Sequence, residues 1–193
     1  MNTQKANFII FITGLAASGK TTFSQYLSEK LQVLCVNKNY VKEILSDTIG
    51  FTNRAENQKL SAATYELMRH IAGSSMRIGL PIILEKSFFE QEDTVFFNNA
   101  IQKYGYKAIT VIFTGDREVL YERYKKRERS SHPAHKSFEM TREFFNSLPD
   151  GQEHFEINSK KLVVDTTDFT NICYSEIIEN INYYICQNCT IHL

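Results

Sequence analysis

Short apolar segments alternate with longer helical patterns along this chain, and this alternation constrains the fold more than any other feature of the sequence. The apolar segments are rich in β-forming residues and lie at Phe8–Thr13, Val33–Val36, Pro81–Leu84, Ile109–Phe113 and Leu162–Val164. Each segment is almost continuously apolar, which is typical of strands that are covered on both faces. The pattern therefore predicts strands of a parallel sheet.

Helical patterns fill the intervals between these strands. They span Thr21–Leu31, Val41–Asp47, Glu56–Arg77, Glu92–Tyr104, Glu118–Arg129, Phe138–Leu148 and Thr170–Cys186. Most of them place apolar residues three and four positions apart, which is the spacing of an amphipathic helix. Because strands that alternate with helices build a parallel sheet covered on both faces, the sequence predicts one three-layer α/β domain over residues 1–193.

The composition excludes several classes of protein. Apolar residues make up 42% and charged residues 23% of the chain, which is an ordinary globular balance and excludes a disordered or fibrous protein. The 22 basic and 22 acidic residues cancel, so no overall charge attracts nucleic acid. The apolar run Phe8–Ile12 is too short for a signal-peptide core or a membrane span. We therefore expect a cytoplasmic protein without a membrane partner.

The segment from Gly14 to Thr21 fits the phosphate-binding pattern GxxxxGK[ST], and it lies between a predicted strand and a predicted helix. Gly14 and Gly19 allow backbone angles that a Cβ would forbid, so that successive N–H groups can surround a phosphate. The Lys20 ammonium is expected at the β- and γ-phosphates and the Thr21 hydroxyl on Mg²⁺. The predicted nucleotide contacts are Gly14, Ala17, Ser18, Gly19, Lys20, Thr21 and Thr22.

A carboxylate follows the third predicted strand. The segment Leu80–Leu84 is apolar, and Glu85 comes directly after it. If this strand lies beside the first, Glu85 falls near the Mg²⁺ and the γ-phosphate. There it could hold a metal-bound water, or orient or deprotonate an acceptor hydroxyl. The alternative is a carboxylate at a strand end that simply faces solvent.

Two further segments bear on which phosphate compound is bound. Asn37–Tyr40 begins like the guanine-binding sequence NKxD. Tyr40 replaces the Asp, however, and the segment comes too early in the chain, so GTP specificity is rejected.

The segment from Arg117 to Arg142 holds eight Lys or Arg residues against four Glu. It is either a solvated charged face, with internal pairs at helical spacing, or a surface that meets phosphates.

Four stretches together resemble one family: Gly14–Thr21, Asn37–Phe51, the strand that ends at Glu85, and Glu118–His135. Their arrangement is similar to the small P-loop kinases of the AAA-type ATPase group, which includes chloramphenicol phosphotransferase, zeta toxins and polynucleotide kinase. The resemblance covers about the full length. It implies a fold close to shikimate and adenylate kinases, with a central five-stranded parallel sheet. It also implies ATP and Mg²⁺ as cofactors.

The same resemblance assigns roles to the later part of the chain. It implies a basic lid at about residues 123–142, with Arg123 and Arg127 at its start above the ATP phosphates. An arginine that faces the transferring phosphoryl group contributes roughly 10³–10⁵ in rate in related enzymes. The exit loop of the last strand, with Asp165 and Thr167, is implied to pass the adenine.

One residue departs from the family pattern. Its members usually carry an Asp after the second strand that accepts the proton of the substrate hydroxyl, and this chain has Asn39 there. An amide can orient a hydroxyl but is no base near pH 7. Glu85, Glu90 and Asp47 are the nearby acids in the sequence. Glu85 is favoured as the replacement, because phosphoryl transfer depends more on positioning than on full proton removal.

The acceptor side of the site is predicted with less detail. Asn39 and Phe88 are candidate contacts for a small hydroxylated acceptor, although aromatic residues in such a region usually pack the core. His132 and His135 are interpreted as lid residues without an assigned role. Two histidines at this spacing, outside a helix and without a third ligand, make a poor metal site.

Three functions remain open from the sequence. The first is an ATP-dependent kinase of a small hydroxylated molecule. The second is a nucleotide-binding regulatory module with little transfer activity, which Asn39 suggests. The third is a kinase of nucleic-acid ends, which the basic segment suggests and the neutral chain opposes, because binding to a nucleic-acid backbone needs many phosphate-pairing charges.

Overall fold

The computed structural model describes residues 7–87, 89–128, 130–136, 140–149 and 156–186. The strands are β1 (Phe8–Gly14), β2 (Leu34–Asn37), β3 (Ile82–Glu85), β4 (Lys107–Thr114) and β5 (Lys160–Asp165). The helices are α1 (Lys20–Leu31), α2 (Lys38–Ile49), α3 (Arg54–Arg77), α4 (Gln91–Tyr104), α5 (Arg117–Glu128), α6 (Arg142–Ser147) and α7 (Tyr174–Cys186). Short 3₁₀ turns occupy Pro133–His135 and Phe169–Asn171.

The five strands form one parallel sheet in the order β2-β3-β1-β4-β5. Glu85 at the end of β3 lies in register with Ile12 of β1 on one side and with Asn37 of β2 on the other. The predicted α/β class and five-stranded parallel sheet are therefore confirmed. Because parallel strands end at the same edge, this order brings the loop after β1 beside the end of β3, and the end of β2 lies next to β3.

Apolar packing on both faces of the sheet explains the near-continuous strand sequences. On one face, Phe11 and Leu84 pack with residues of α3 and α4 such as Phe97. On the other face, Ile10 and Val111 belong to a cluster that includes residues of α1 and α7. Successive β1 residues thus enter opposite cores, and all seven residues of β1 are buried.

A third apolar cluster holds α5 and α6 against the loop after β1. Leu15, Leu120, Tyr121 and Phe145 are its buried members. Outside this cluster, Arg117 donates to the carbonyls of Phe145, Asn146 and Leu148 at the end of α6. These contacts fix the basic segment beside the carboxyl ends of the strands.

Helix starts differ from their predicted positions where a polar residue caps the helix. Helix α2 begins at Lys38 rather than Val41, because the Asn37 side chain accepts hydrogen bonds from the backbone N–H groups of Asn39 and Tyr40. Helix α6 begins after Thr141, whose hydroxyl accepts from the N–H of Phe144. The predicted helix start at Phe138 lies outside the described residues.

Among the described residues, no helix combines the length and apolar character that crossing a membrane would require.

Among the described glycines, Gly14 has the least room for a side chain. It has a φ of 129°, and a Cβ there would lie 1.9 Å from the carbonyl oxygen of Phe113 in β4. We expect Gly14→Ala to lower the free energy of unfolding by roughly 3 kcal/mol or more, because a backbone clash cannot relax by side-chain rotation.

Gly105 provides the matched control for this prediction. Its φ is 64°, but a Cβ there would meet nothing within 4 Å. Gly105→Ala should therefore cost only about 1 kcal/mol, from the left-handed backbone alone. Urea unfolding of both variants measures the difference, and equal losses would contradict the account of Gly14.

Candidate functional site

The loop from β1 to α1 forms a cradle of backbone N–H groups. Gly14, Ala17 and Gly19 all have positive φ angles, which turns successive peptides toward one side. Gly19 precedes the first turn of α1, and no side chain of the described residues caps that turn. A helix N-terminus with free N–H groups and a curved glycine loop fits the phosphates of a nucleotide. Ser18, buried beneath the loop, donates to the carbonyl of Leu15 at 2.8 Å.

A cavity of about 250 Å³ opens beside this cradle. Its walls come from the loop after β1, the starts of α1 and α2, the end of β3, helix α5 and the segment that follows α5. The lining residues are Ala16, Ala17, Gly19, Lys20, Thr21, Thr22, Asn39, Glu85, Ser87, Tyr124, Arg127, Ser131, His135 and Met140. Among the predicted site residues, the structure thus brings Ala17, Gly19, Lys20, Thr21, Thr22, Asn39, Glu85 and Arg127 together.

Lys20 is a buried cation at the floor of this cavity. It is only 6% exposed, and its Nζ donates to the carbonyl of Leu15 at 2.6 Å. Burial lowers its pKa to about 8, although the negative charge of Glu85 opposes the shift and Arg127 adds to it. An anion beside Lys20 would favour its charged form. The site therefore suits a ligand with strong negative charge, such as a polyphosphate.

Glu85 is the buried carboxylate of this cavity and lies near Lys20. It is 3% exposed, and burial raises its pKa, while the Lys20 charge and hydrogen bonds from Thr21 and Ser24 act in the other direction. The Ser24 hydroxyl is 3.4 Å from Glu85 Oε2. A hydroxyl and a carboxylate side by side are the oxygen ligands that Mg²⁺ accepts next to substrate phosphates and waters. Thr21 and Glu85 therefore fit the predicted role of a magnesium site.

The two predicted lid arginines occupy different places. Arg127 lines the cavity. Arg123 does not: its guanidinium donates to the carbonyls of Thr166 at 2.5 Å and Thr167 at 2.7 Å, and it lies 4.0 Å from the ring centre of Phe169. In this structure Arg123 holds the loop after β5 rather than facing the cavity.

That exit loop reaches the phosphate cradle through one aromatic ring. The Phe169 ring lies against Gly19, where an added Cβ would be 3.0 Å from it. Asp165 accepts hydrogen bonds from the backbone N–H and the hydroxyl of Thr167, and the Thr167 hydroxyl accepts from the N–H of Asp116. The predicted adenine residues thus form the frame of a loop beside the cradle, and neither of them lines the cavity.

The 3₁₀ turn Pro133–His135 docks onto α2 and α3. The carbonyl of Ala134, which is buried, accepts from Lys42 Nζ and Asn57 Nδ2, each at 3.0 Å. His132 and His135 add contacts to α2, with their Nε2 atoms 3.0 Å from Asp47 and 2.8 Å from Glu43. Sequence reasoning missed Lys42 and Asn57, and their burial is visible only once α2 and α3 are packed together.

The remaining predicted candidates lie elsewhere. Glu90 caps α4 in a reciprocal arrangement with Asp93, and Asp47 pairs with His132, so neither acid lines the cavity. Phe88 lies outside the described residues. Its neighbour Phe89 packs edge-on against Phe11 in the core.

A second cavity of about 380 Å³ lies between α3 and α4, away from the phosphate cradle. Arg69, Arg77 and Lys103 surround it, and Phe96 and Ala100 form part of its floor. It contains none of the predicted site residues. Although it is the larger cavity, it lacks the combination of phosphate cradle, buried lysine and carboxylate.

Comparison with known proteins agrees with this geometry. A family model described as an AAA domain matches residues 9–149. The structure superposes on a provisionally assigned kinase from Chloroflexus aurantiacus with a TM-score of 0.81, at 25% identity, over 93% of this chain and 99% of the other. The sequence matches no curated protein.

Two more distant solved structures share the fold. A sugar kinase from Janibacter has a TM-score of 0.56 at 15% identity, covering 93% of this chain and 94% of its own. Shikimate kinase from Bacteroides thetaiotaomicron has a TM-score of 0.53 at 15% identity, covering 93% of this chain and 98% of its own. The chain therefore belongs to the AAA-domain family and is one of its small P-loop kinase-like proteins.

Proposed function

We propose that this protein is an ATP-dependent phosphotransferase that moves the γ-phosphoryl group to a hydroxyl of a small-molecule acceptor. The observation that carries the proposal is the cavity beside the cradle, where Lys20 and Thr21 of α1, Glu85 of β3 and Arg127 of α5 converge. A lysine, an arginine and a pair of oxygen ligands for Mg²⁺ around one phosphate cradle are the parts that phosphoryl transfer requires. Phosphoryl transfer gains most of its rate from positioning and charge stabilisation, which such a site supplies.

Each of these side chains has a distinct part in the proposal. Lys20 leaves the Leu15 carbonyl to donate to the β- and γ-phosphates, and Arg127 stabilises the charge of the transferring group. Thr21 and Glu85 would hold Mg²⁺, which when bound neutralises charge on the β- and γ-phosphate oxygens. Asn39 lines the same cavity at the start of α2 and orients the acceptor hydroxyl through its amide.

Arg123 and the exit loop serve the nucleoside end in this proposal. Arg123 holds the loop in place through two backbone carbonyls, and Asp165 and Thr167 fix its turn. The proposed role of Arg123 is thus to position the adenine-side loop, in addition to the phosphate role that the resemblance implied. Phe88 remains a proposed acceptor contact.

Several observations favour a small acceptor over nucleic acid. Much of the basic segment is engaged within the protein: Arg117 binds backbone carbonyls at the end of α6, and Arg142 pairs with Glu118 and Glu122. Charges paired in this way are less available to a nucleic-acid backbone, so we do not expect strongly salt-dependent binding. Two of the structures with the same fold are a sugar kinase and shikimate kinase.

The use of ATP suits a cytoplasmic location, which is part of this proposal.

Lys20→Met tests the phosphate site directly. Because the variant removes the ammonium that meets the β- and γ-phosphates, we expect acceptor-dependent ADP release to fall about 10²–10³-fold or more. The measurement is ADP release with Mg²⁺ and ATP in the presence of pooled nucleosides, sugars, nucleotide sugars, aminoglycosides and other hydroxylated antibiotics, and 5′-hydroxyl oligonucleotides.

Lys30→Met is the matched control, since Lys30 lies in the last turn of the same helix, where its ammonium is 5.4 Å from the ring centre of Tyr26. It should release ADP at the wild-type rate. A Lys20→Met protein that turns over as fast as Lys30→Met would remove the proposed role of the loop.

Asn39→Asp separates the kinase from the regulatory module. If the protein is an active kinase in which Asn39 only orients the acceptor, the substitution should change kcat by less than about tenfold, since the amide contributes hydrogen bonds rather than proton transfer. If the natural chain binds ATP without transfer, the new carboxylate should switch acceptor-dependent transfer on. Single-turnover transfer by both proteins distinguishes these outcomes.

A further inference from the structure

The cavity contains a proton-transfer problem that Asn39 leaves unsolved. An acceptor hydroxyl loses its proton as its oxygen attacks phosphorus, and an amide cannot take that proton. Glu85 is the one carboxylate that lines the cavity within the described residues, but it faces Lys20 and accepts hydrogen bonds from Thr21 and Ser24. These contacts commit it to the phosphate and metal side of the site.

His135 lines the same cavity from the lid side. Its Nε2 lies 2.8 Å from Glu43 Oε1. Because a carboxylate only accepts hydrogen bonds, this contact places the ring proton on Nε2 and leaves a lone pair on Nδ1. Within the described part of the chain, no hydrogen bond to Nδ1 of His135 occurs. A carboxylate that orients a histidine and leaves its second nitrogen free is the arrangement of a general base.

His132 is also held by a carboxylate, but neither of its ring nitrogens is free. Its Nε2 also meets a carboxylate on α2, Asp47, at 3.0 Å. Its Nδ1 accepts from the backbone N–H of Ala134 at 3.1 Å, so both ring nitrogens are engaged, and His132 is absent from the cavity wall. Both histidines fasten the 3₁₀ turn to α2, but only His135 has a nitrogen left for a substrate.

We propose that His135, held by Glu43, is the general base that accepts the proton of the acceptor hydroxyl. This inference rests on the proposed phosphotransferase function. The acceptor O–H proton passes to Nδ1 of His135 as the oxygen forms its bond to the γ-phosphorus. The bond from that phosphorus to the β,γ-bridging oxygen breaks, and its electron pair leaves with ADP. Glu43 stabilises the imidazolium, which then returns the proton to solvent.

The surroundings of His135 favour its neutral form. Burial lowers its pKa, and the charges of Lys38 and Lys42 on α2 act in the same direction, while Glu43 raises it. His132 lies in the same turn, with ring centres 6.1 Å apart, and α3 contributes the neutral Asn57. The cavity side contributes Lys20, Glu85 and Arg127. A neutral imidazole near pH 7 is the form that can accept a proton.

The pH dependence of kcat tests this assignment, with His132→Gln as the control for lid docking. Wild-type kcat should decrease as the pH falls below the pKa of His135, because protonation removes the base. This decline on the acidic side of the pH profile, the acidic limb, should lie at or below the ordinary histidine range. His135→Gln should lower kcat about 10²–10⁴-fold and lose that limb, with the KM for ATP changed only a few-fold. His132→Gln should keep the limb and a kcat within about tenfold of wild type.

Glu43→Gln provides a second variant that does not depend on the histidine itself. Removing the negative charge makes the imidazolium less favourable, so the acidic limb should move to lower pH while kcat falls. A merely structural contact between lid and helix would leave the position of that limb unchanged.

The outcomes separate this inference from the function on which it rests. If His135→Gln keeps the wild-type kcat and an unchanged acidic limb, His135 is not the general base, and the proposed kinase function is unaffected. Equal kcat losses in His135→Gln and His132→Gln, with equal losses of ATP affinity, also overturn the assignment of the base in favour of lid docking. Absence of transfer by the wild-type protein with every acceptor overturns both.

Discussion

The structure depends on keeping two opposite charges buried at one edge of the sheet. Lys20 and Glu85 are almost inaccessible to water, and such charges are tolerated only when they face partners and hydrogen bonds. The strand order supplies those partners, because it places β3 beside β1 and thus Glu85 beside the loop that leads to Lys20. Gly14 closes the arrangement by letting that loop pack directly on β4.

The turn Pro133–His135 joins this site through polar contacts to α2 and α3. Ala134 is buried, but its carbonyl, His132 and His135 hold the turn to α2 and α3 through four polar contacts. Individually, contacts of this kind contribute little net free energy, so they hold the turn less firmly than apolar packing would hold a helix. In the proposed kinase this balance would suit a lid, which has to admit ATP and then exclude water from it.

Much of the fold and much of the site were predictable, and the rest depended on packing. Apolar runs and the GxxxxGK[ST] pattern are local signals, so they predict the parallel sheet and the cradle. The placement of Glu85 beside the cradle was conditional on the strand order, which the structure supplies. The contrast between Arg123 and Arg127 does not, because which arginine faces the cavity depends on how α5 rotates against the exit loop. The pairing of His135 with Glu43 joins residues far apart in the chain, and no local sequence pattern predicts it.

The most direct measurement follows the γ-phosphoryl group itself. The protein is incubated with Mg²⁺ and ATP labelled at the γ-phosphate, together with a mixture of small hydroxylated molecules, and the labelled products are separated. The account predicts label in a small organic phosphate that forms only when protein and acceptor are both present. Label that stays in ATP, or that appears only as inorganic phosphate while ATP still binds, would contradict it.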